Sequence, residues 1–238
     1  NRKKGSYTLT IITVLSIQAT MIKAVIFDMD GTVLNTLEDI MIAANHALRL
    51  KGLPEKSRDD IRKAVGNGAR KLIERIVPES YTTEEKEILF RIYQDYYDTH
   101  SNVHTHPYDG ILTLLHQLKD KGYKCAVVSN KFEHLVKSLN QEVFENLFDE
   151  AIGEVKGIPI KPHPDMLYKA LNLLQVSHEE ALFVGDSEVD IDTANNASMR
   201  SVGVTWGFRD EDLLIEHGAT NIIHHPLDLW GVINKENA

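Results

Sequence analysis

The run Ile22 to Phe27 is short, apolar and rich in β-branched residues, and it stops abruptly at Asp28, as a buried strand with a polar end does. Thr36 to Lys51 carries Leu37, Ile40, Ala44, Ala47 and Leu48 at helical spacing, and Gly52 and Pro54 close it. Further helical patterns cover 57–65, 69–77 and roughly 83–99, with no strand pattern between them. Residues 36–103 therefore read as an all-helical insertion, and His104 to Gly110 as the return hinge. Beyond the hinge the chain alternates. Helical stretches at 111–121, 132–140, 165–174 and up to about Ala197 separate apolar strands at 124–128, 181–184 and 201–204, and a last apolar stretch lies near Asn221 to Ile223. Such repetition predicts an α/β fold, a parallel sheet covered on both faces, formed by residues 21–35 and 104–238.

The polar residues fall where these strands end. Asp28 and Asp30 follow the first strand, and Gly31 lets the backbone turn; Ser129 and Asn130 follow the second, and Asp186 and Asp190 a later one. Strand ends of one kind share one edge of a parallel sheet, so residues 100 to 160 positions apart can meet there. Asp28 and Asp186 are hard oxygen donors suited to Mg²⁺, which takes one or two carboxylates, waters and a substrate phosphate. Asp186 and Asp190 also have a plainer reading as acids at a helix N-terminus, and Lys161, between Ile160 and Pro162, as a solvated lysine before a helix.

Composition narrows the field. The 238 residues are 42% hydrophobic and 26% charged, with 26 basic against 35 acidic side chains and a net charge of −9, which argues against a nucleic-acid surface. A small anionic substrate then needs a metal or a few focused cations. Cys125 is the sole cysteine, so no intrachain disulfide forms, which fits the cytoplasm. Eleven histidines lack zinc-site partners and read as surface or hinge residues. Residues 1–20 join Arg2, Lys3 and Lys4 to a Thr-interrupted apolar run too short to span a bilayer; Met21 is the expected natural start, the preceding residues an upstream or non-native extension, and an exported leader the alternative.

The order Asp28-Met29-Asp30-Gly31-Thr32, Ser129, Lys161 and Gly185-Asp186 with Asp190 resembles the haloacid dehalogenase superfamily, in its phosphatase branch. The resemblance implies a Rossmann-like core with an inserted helical cap. It makes Asp28 the nucleophile that forms an aspartyl-phosphate and Asp30 the acid and base. Ser129 and Lys161 would contact the phosphoryl group, with Thr32 and Asn130 as further substrate contacts. Asp28, the Asp30 carbonyl, Asp186 and Asp190 would hold or surround Mg²⁺. An acid at Asp30 favours ester hydrolysis over dehalogenation, since a halide leaves without protonation. The Val65-Gly66-Asn67-Gly68-Ala69-Arg70-Lys71 segment is similar to the substrate loop of phosphoglycolate phosphatases, which implies that Gly66, Asn67 and Gly68 approach a substrate carboxylate and that Arg70 or Lys71 pairs with it; the plainer reading is an interhelical turn with two exposed cations. Asn35, where many relatives have Asp, is expected to cap the following helix. The expected activity is a Mg²⁺-dependent phosphatase for a small phosphorylated metabolite, first 2-phosphoglycolate, acting as a monomer or homodimer without membrane or nucleic acid. A phosphosugar mutase, a pyrophosphatase and a non-catalytic phospho-ligand regulator are the alternatives.

Overall fold

The computed structural model describes residues 21–238, so the expected extension at 1–20 lies outside the described residues. Its sheet has six parallel strands: β1 (Ala24–Phe27), β4 (Lys124–Phe132), β5 (Glu150–Glu154), β6 (Ala181–Gly185), β7 (Arg200–Val204) and β8 (Asn221–Ile223). They lie in the order β5-β4-β1-β6-β7-β8. Alternation along the strands explains why both faces are covered. Val25, Phe27, Val127, Leu182 and Val184 point to one side, where α5 (Ile111–Asp120) and α10 (Leu229–Glu236) pack. Ala24, Ile26, Ala126, Val128 and Phe183 point to the other, against α7 (Asp165–Leu174) and α8 (Glu188–Asn196). Every residue of β1 is buried, which is why it reads as a continuous apolar run.

Register then positions the chemistry. Phe27 pairs with Val127 on one side and Val184 on the other, so Asp28 emerges level with Val128 and Gly185, one residue before Ser129 and Asp186.

Between β1 and the second strand of the core lie α1 (Leu37–Leu50), α2 (Arg58–Ala64), α3 (Ala69–Ile76) and α4 (Thr83–His100), with no strand among them. They share a second apolar cluster, built from Ile40, Leu48, Ile61, Ile73, Leu89 and Tyr93 among others, which Leu135 and Phe208 of the α/β part also join. Ser57 and Thr82 each cap their helix reciprocally with Asp60 and Glu85. The two crossings into this helical segment pair with each other, β2 (Leu34–Asn35) running antiparallel to β3 (His106–Pro107). Buried Asp39, in the first turn of α1, accepts the backbone N–H groups of Val103, His104 and Thr105 at 2.8–3.1 Å and so anchors the return hinge. Asn35 does not cap α1: it sits in β2, and Thr36 occupies the cap position without a side-chain hydrogen bond.

Five elements depart from the hydrophobic pattern. β5, an edge strand of sequence Glu-Ala-Ile-Gly-Glu, buries only Ile152 and Gly153, so it has no apolar run to announce it. The second core strand extends through Ser129, Asn130 and Lys131 to Phe132 rather than stopping at Val128, which puts those polar residues inside it. α9 (Glu211–Glu216) buries only Leu214, and α10 follows a short 3₁₀ turn at Pro226–Asp228. α6 (Glu133–Glu142) begins one residue later and ends two residues later than the expected 132–140.

Candidate active site

The turn after β1 is held by backbone hydrogen bonds: the Met29 carbonyl accepts from Thr32, Val33 and Leu34, and Gly31 donates to Leu34. Gly31 has φ of +89°, and a Cβ there would lie 2.3 Å from Asp186 Oδ2, so the site tolerates no side chain at this point. Gly207 closes the opposite wall for the same reason, since its Cβ would approach the Gly31 carbonyl to 2.5 Å.

Around this turn Asp28, Asp186 and Asp190 bring carboxylate oxygens within 4.8 Å of one another, all buried. Asp186 and Asp190 are each held from two directions. Asp186 accepts from Thr32 Oγ1 at 3.0 Å and from the Phe208 N–H at 2.7 Å. Asp190 accepts from the Ser187 N–H and hydroxyl with one oxygen, closing a capping box on α8, and from Lys161 Nζ at 2.7 Å with the other. Asp190 is therefore both a helix-terminal acid and a partner of Lys161. Lys161 Nζ also donates to Asp28 at 2.7 Å, and its side chain is 2% exposed, which excludes the solvated reading.

Three carboxylates share one ammonium. Burial pushes the Asp28 carboxyl well above its ordinary range, and Asp190 adds to the effect, while Lys161 opposes it. Burial and then Asp190 push Asp186 up to about 7, against the hydrogen bonds from Phe208 and Thr32. Burial alone would lower the pKa of Lys161, but Asp190 and Asp28 outweigh it and hold the ammonium charged. With all three acids ionised, one ammonium leaves a net charge of −2 in an oxygen-donor cluster, a deficit that a hard divalent cation fits. The donor set suits Mg²⁺ in kind: hard carboxylate oxygens, no sulfur or imidazole.

A pocket opens between this cluster and the helical segment. Asp28, Asp30, Ser129 and Asp186 border it from the sheet edge; Gly66, Gly68, Leu72, Tyr93 and Tyr97 border it from the helices. Ser129 Oγ accepts the Lys131 N–H, leaving its hydroxyl hydrogen to be donated. Asp30 has a buried Oδ1 without a hydrogen bond, 3.1 Å from Lys131 Nζ.

Several expected contacts fall elsewhere. Thr32 is fully buried and spends its hydroxyl on Asp186, so it positions that carboxylate rather than meeting substrate. Asn130 borders the pocket, but its amide bonds the Lys161 backbone in both directions and the Gly66 carbonyl. The expected carboxylate readers point away: Arg70 pairs with Glu87 and lies over the Phe90 ring, and Lys71 pairs with Glu74, with side chains 59% and 46% exposed. Asn67 accepts from Arg75 and does not border the pocket. Sequence reasoning passed over Lys131 and Arg209, the cations that do border it. Arg209 donates to the Arg62 and Val65 carbonyls at the end of α2 and to Glu188 of α8, tying helical segment to core. The position of Lys131, two beyond Ser129 in a strand, was the available signal for the first; Arg209 offered none.

A sequence profile of haloacid dehalogenase-like hydrolases matches residues 25–204, a span that contains every acid of the cluster and Lys161. The chain belongs to the haloacid dehalogenase-like hydrolases. Within them it is similar to the phosphoglycolate phosphatase of Aquifex aeolicus, 33% identical over 187 residues, 78% of this chain and 86% of that one. The N-acetylmuramic acid 6-phosphate phosphatase of Pseudomonas aeruginosa is 32% identical over 217 residues, 90% of this chain and 96% of that one. Among solved structures, a Lactobacillus delbrueckii protein assigned as a phosphoglycolate phosphatase superposes with a TM-score of 0.85 at 36% identity, covering 90% of this chain and 98% of its own. This haloacid dehalogenase-like hydrolase is a phosphatase, a phosphoric monoester hydrolase of phosphoglycolate phosphatase-like type. Phosphatases of this family generally use a divalent metal, and the acidic cluster provides donors for one.

Proposed function

We propose that the protein is a Mg²⁺-dependent phosphatase that carries the phosphoryl group on Asp28 and acts on a small phosphorylated acid, 2-phosphoglycolate. The observation that carries this reading is Asp28 itself: a buried carboxylate at the pocket wall, oriented by Lys161 at 2.7 Å and crowded by two further acids. One Asp28 oxygen is held by Lys161, and the other attacks phosphorus as the ester P–O bond breaks. Asp30 gives its proton to the leaving alcohol oxygen, then takes one from the water that attacks the aspartyl-phosphate and returns Asp28 to its free form. Ser129 donates to the phosphoryl oxygens, and Lys161 offsets charge behind the nucleophile. Asp28, Asp186 and the Asp30 carbonyl would hold the cation, with Asp190 one layer out through Lys161. When bound, it neutralises charge on the transferring group. Residues 36–103 act as a cap that excludes water during transfer.

The relatives' names support 2-phosphoglycolate, and the apolar side chains on the helical wall, Leu72 and Tyr93 among them, favour a second reading, a larger phosphosugar such as the P. aeruginosa relative's name describes. No helix among the described residues is long and apolar enough to cross a membrane. We take the enzyme as cytoplasmic, a monomer or homodimer. Release of phosphate from a panel of phosphorylated acids and sugars, with Mg²⁺ and with excess chelator, tests the reading. Full turnover in chelator would sink the metal role, and a sugar phosphate hydrolysed well ahead of 2-phosphoglycolate would replace the substrate.

A further inference from the structure

With Arg70 and Lys71 turned outward, an acidic substrate has to find its cation elsewhere. Lys131 is the one on the leaving-group side. Its side chain is 5% exposed, its ammonium lies 3.1 Å from Asp30 Oδ1, and it donates to the Tyr97 hydroxyl at 2.7 Å while sitting 4.6 Å above that ring. An ammonium has three N–H donors. One is spent on Tyr97, and the approach to Asp30 does not have hydrogen-bond alignment, since Asp30 Oδ1 is left without a partner. Lys131 borders the pocket with donor capacity to spare.

Charge sharpens the point. Asp28, Asp30, Asp98 and Asp186 all border the pocket, so a substrate carboxylate in it needs a cation beside it. Arg209, the other bordering cation, is fixed by three hydrogen bonds, to Glu188 and to the Arg62 and Val65 carbonyls, where Lys131 Nζ makes one. Asp30 serves the leaving oxygen, and in an α-phosphorylated acid the carboxylate is attached to the carbon bearing that oxygen, within a hydrogen bond's reach of it. A group that binds next to Asp30 is therefore next to the carboxylate too.

We propose that Lys131, held by Tyr97, is the residue that selects phosphate esters with a carboxylate on the carbon attached to the ester oxygen. The proposal rests on the phosphatase reading of Asp28 and Asp30 and deepens it to a substrate class. It also gives the helical segment a part in selectivity, because Tyr97 belongs to α4 and fixes where the ammonium points.

Matched esters test it: 2-phosphoglycolate against ethyl phosphate, and 2-phospholactate against isopropyl phosphate, members of each pair differing in the carboxylate. The wild-type ratio of kcat/KM should favour the acid, and Lys131→Met should lower that ratio by roughly tenfold to a hundredfold, the size of a lost charge-assisted hydrogen bond. Tyr97→Phe, which keeps the ring and removes the acceptor, should lower it less. Should Lys131→Met fail to fold, the Tyr97→Phe ratio and the relative inhibition of wild type by 3-phosphonopropionate and propylphosphonate carry the test. Equal losses on both members of a pair would overturn the proposal, since Lys131 would then act through Asp30 alone; an unchanged ratio would overturn it as well. Preference for 2-phospholactate without preference for 2-phosphoglycolate, erased in Lys131→Met, would keep Lys131 as selector and remove 2-phosphoglycolate as the substrate. Absence of preference in either pair, in an active enzyme, would overturn the selector and leave the phosphatase standing.

Discussion

The two walls of the pocket are built on opposite plans. The sheet edge is dense in charge and rigidly specified: Asp186 and Asp190 each have partners from two directions, Asp28 is held by Lys161, and Gly31 and Gly207 leave no room for adjustment. The helical wall is mostly hydrocarbon: Asp98, its bordering charge, faces His134, and Arg70, Lys71 and Arg75 turn away from the pocket to neighbours within the helical segment. On the reading proposed above, chemistry common to any phosphate ester belongs to the first wall, and discrimination among esters to the second and to the bridge between them, Lys131 with Tyr97. The loop whose sequence advertises cations turns them away from the pocket.

Substitutions can break this contrast. Asp28→Asn should remove turnover by more than about 10³-fold on every ester, as expected when a nucleophile that works as part of a unit is lost. Phosphate release and far-UV circular dichroism on the same preparation check it; a folded variant that keeps a sizeable fraction of the rate removes Asp28 from its role.

Lys161→Met should cost ~3–5 kcal/mol of unfolding free energy in chelator, because it strands buried carboxylates without their ammonium, and divalent cation should recover part of the loss. Urea denaturation with and without Mg²⁺ measures both. A loss no larger than that of a surface lysine would mean the cluster is wetter than its burial suggests.

The cluster also sets a pH dependence. Asp186 stands at about 7 in the folded chain against an ordinary carboxylate value near ~4. Asp28 is shifted in the same direction. Between these limits the native state binds more protons than the unfolded one, so metal-free stability falls as pH rises from about 4 to 7. A cation that replaces the protons should reverse the trend, and the Mg²⁺-induced rise in Tm should be larger at pH 8 than at pH 5. Equal shifts at both would show that the acids do not exchange protons for metal.

The smallest effects belong to the helical wall. Arg70→Ala and Lys71→Ala should change kcat/KM less than about twofold and stability by less than ~1 kcal/mol, as exposed ion pairs do. Arg209→Met should cost more, roughly tenfold in kcat/KM, because its guanidinium joins α2 to α8. Steady-state kinetics on one ester ranks all three, and an Arg70 effect exceeding that of Arg209 would invert the comparison.

Period and punctuation along the chain were enough for the parallel sheet, the helical insertion and the acids at the ends of β1 and β6, because burial on two faces imposes continuous apolar strands and polarity can begin only where they stop. β5 was illegible for the converse reason: an edge strand that buries two residues has no pattern to show. Tertiary structure alone decided where the cations point. Arg70 turns outward because Glu87, seventeen positions on, meets it across helices, and Lys131 turns inward because Tyr97 and Asp30, 34 and 101 positions before it in the chain, meet it in the pocket. Local sequence encodes the period of burial, whereas a flexible charged side chain goes to whichever opposite charge the packed elements bring near, and that partner is set by the fold.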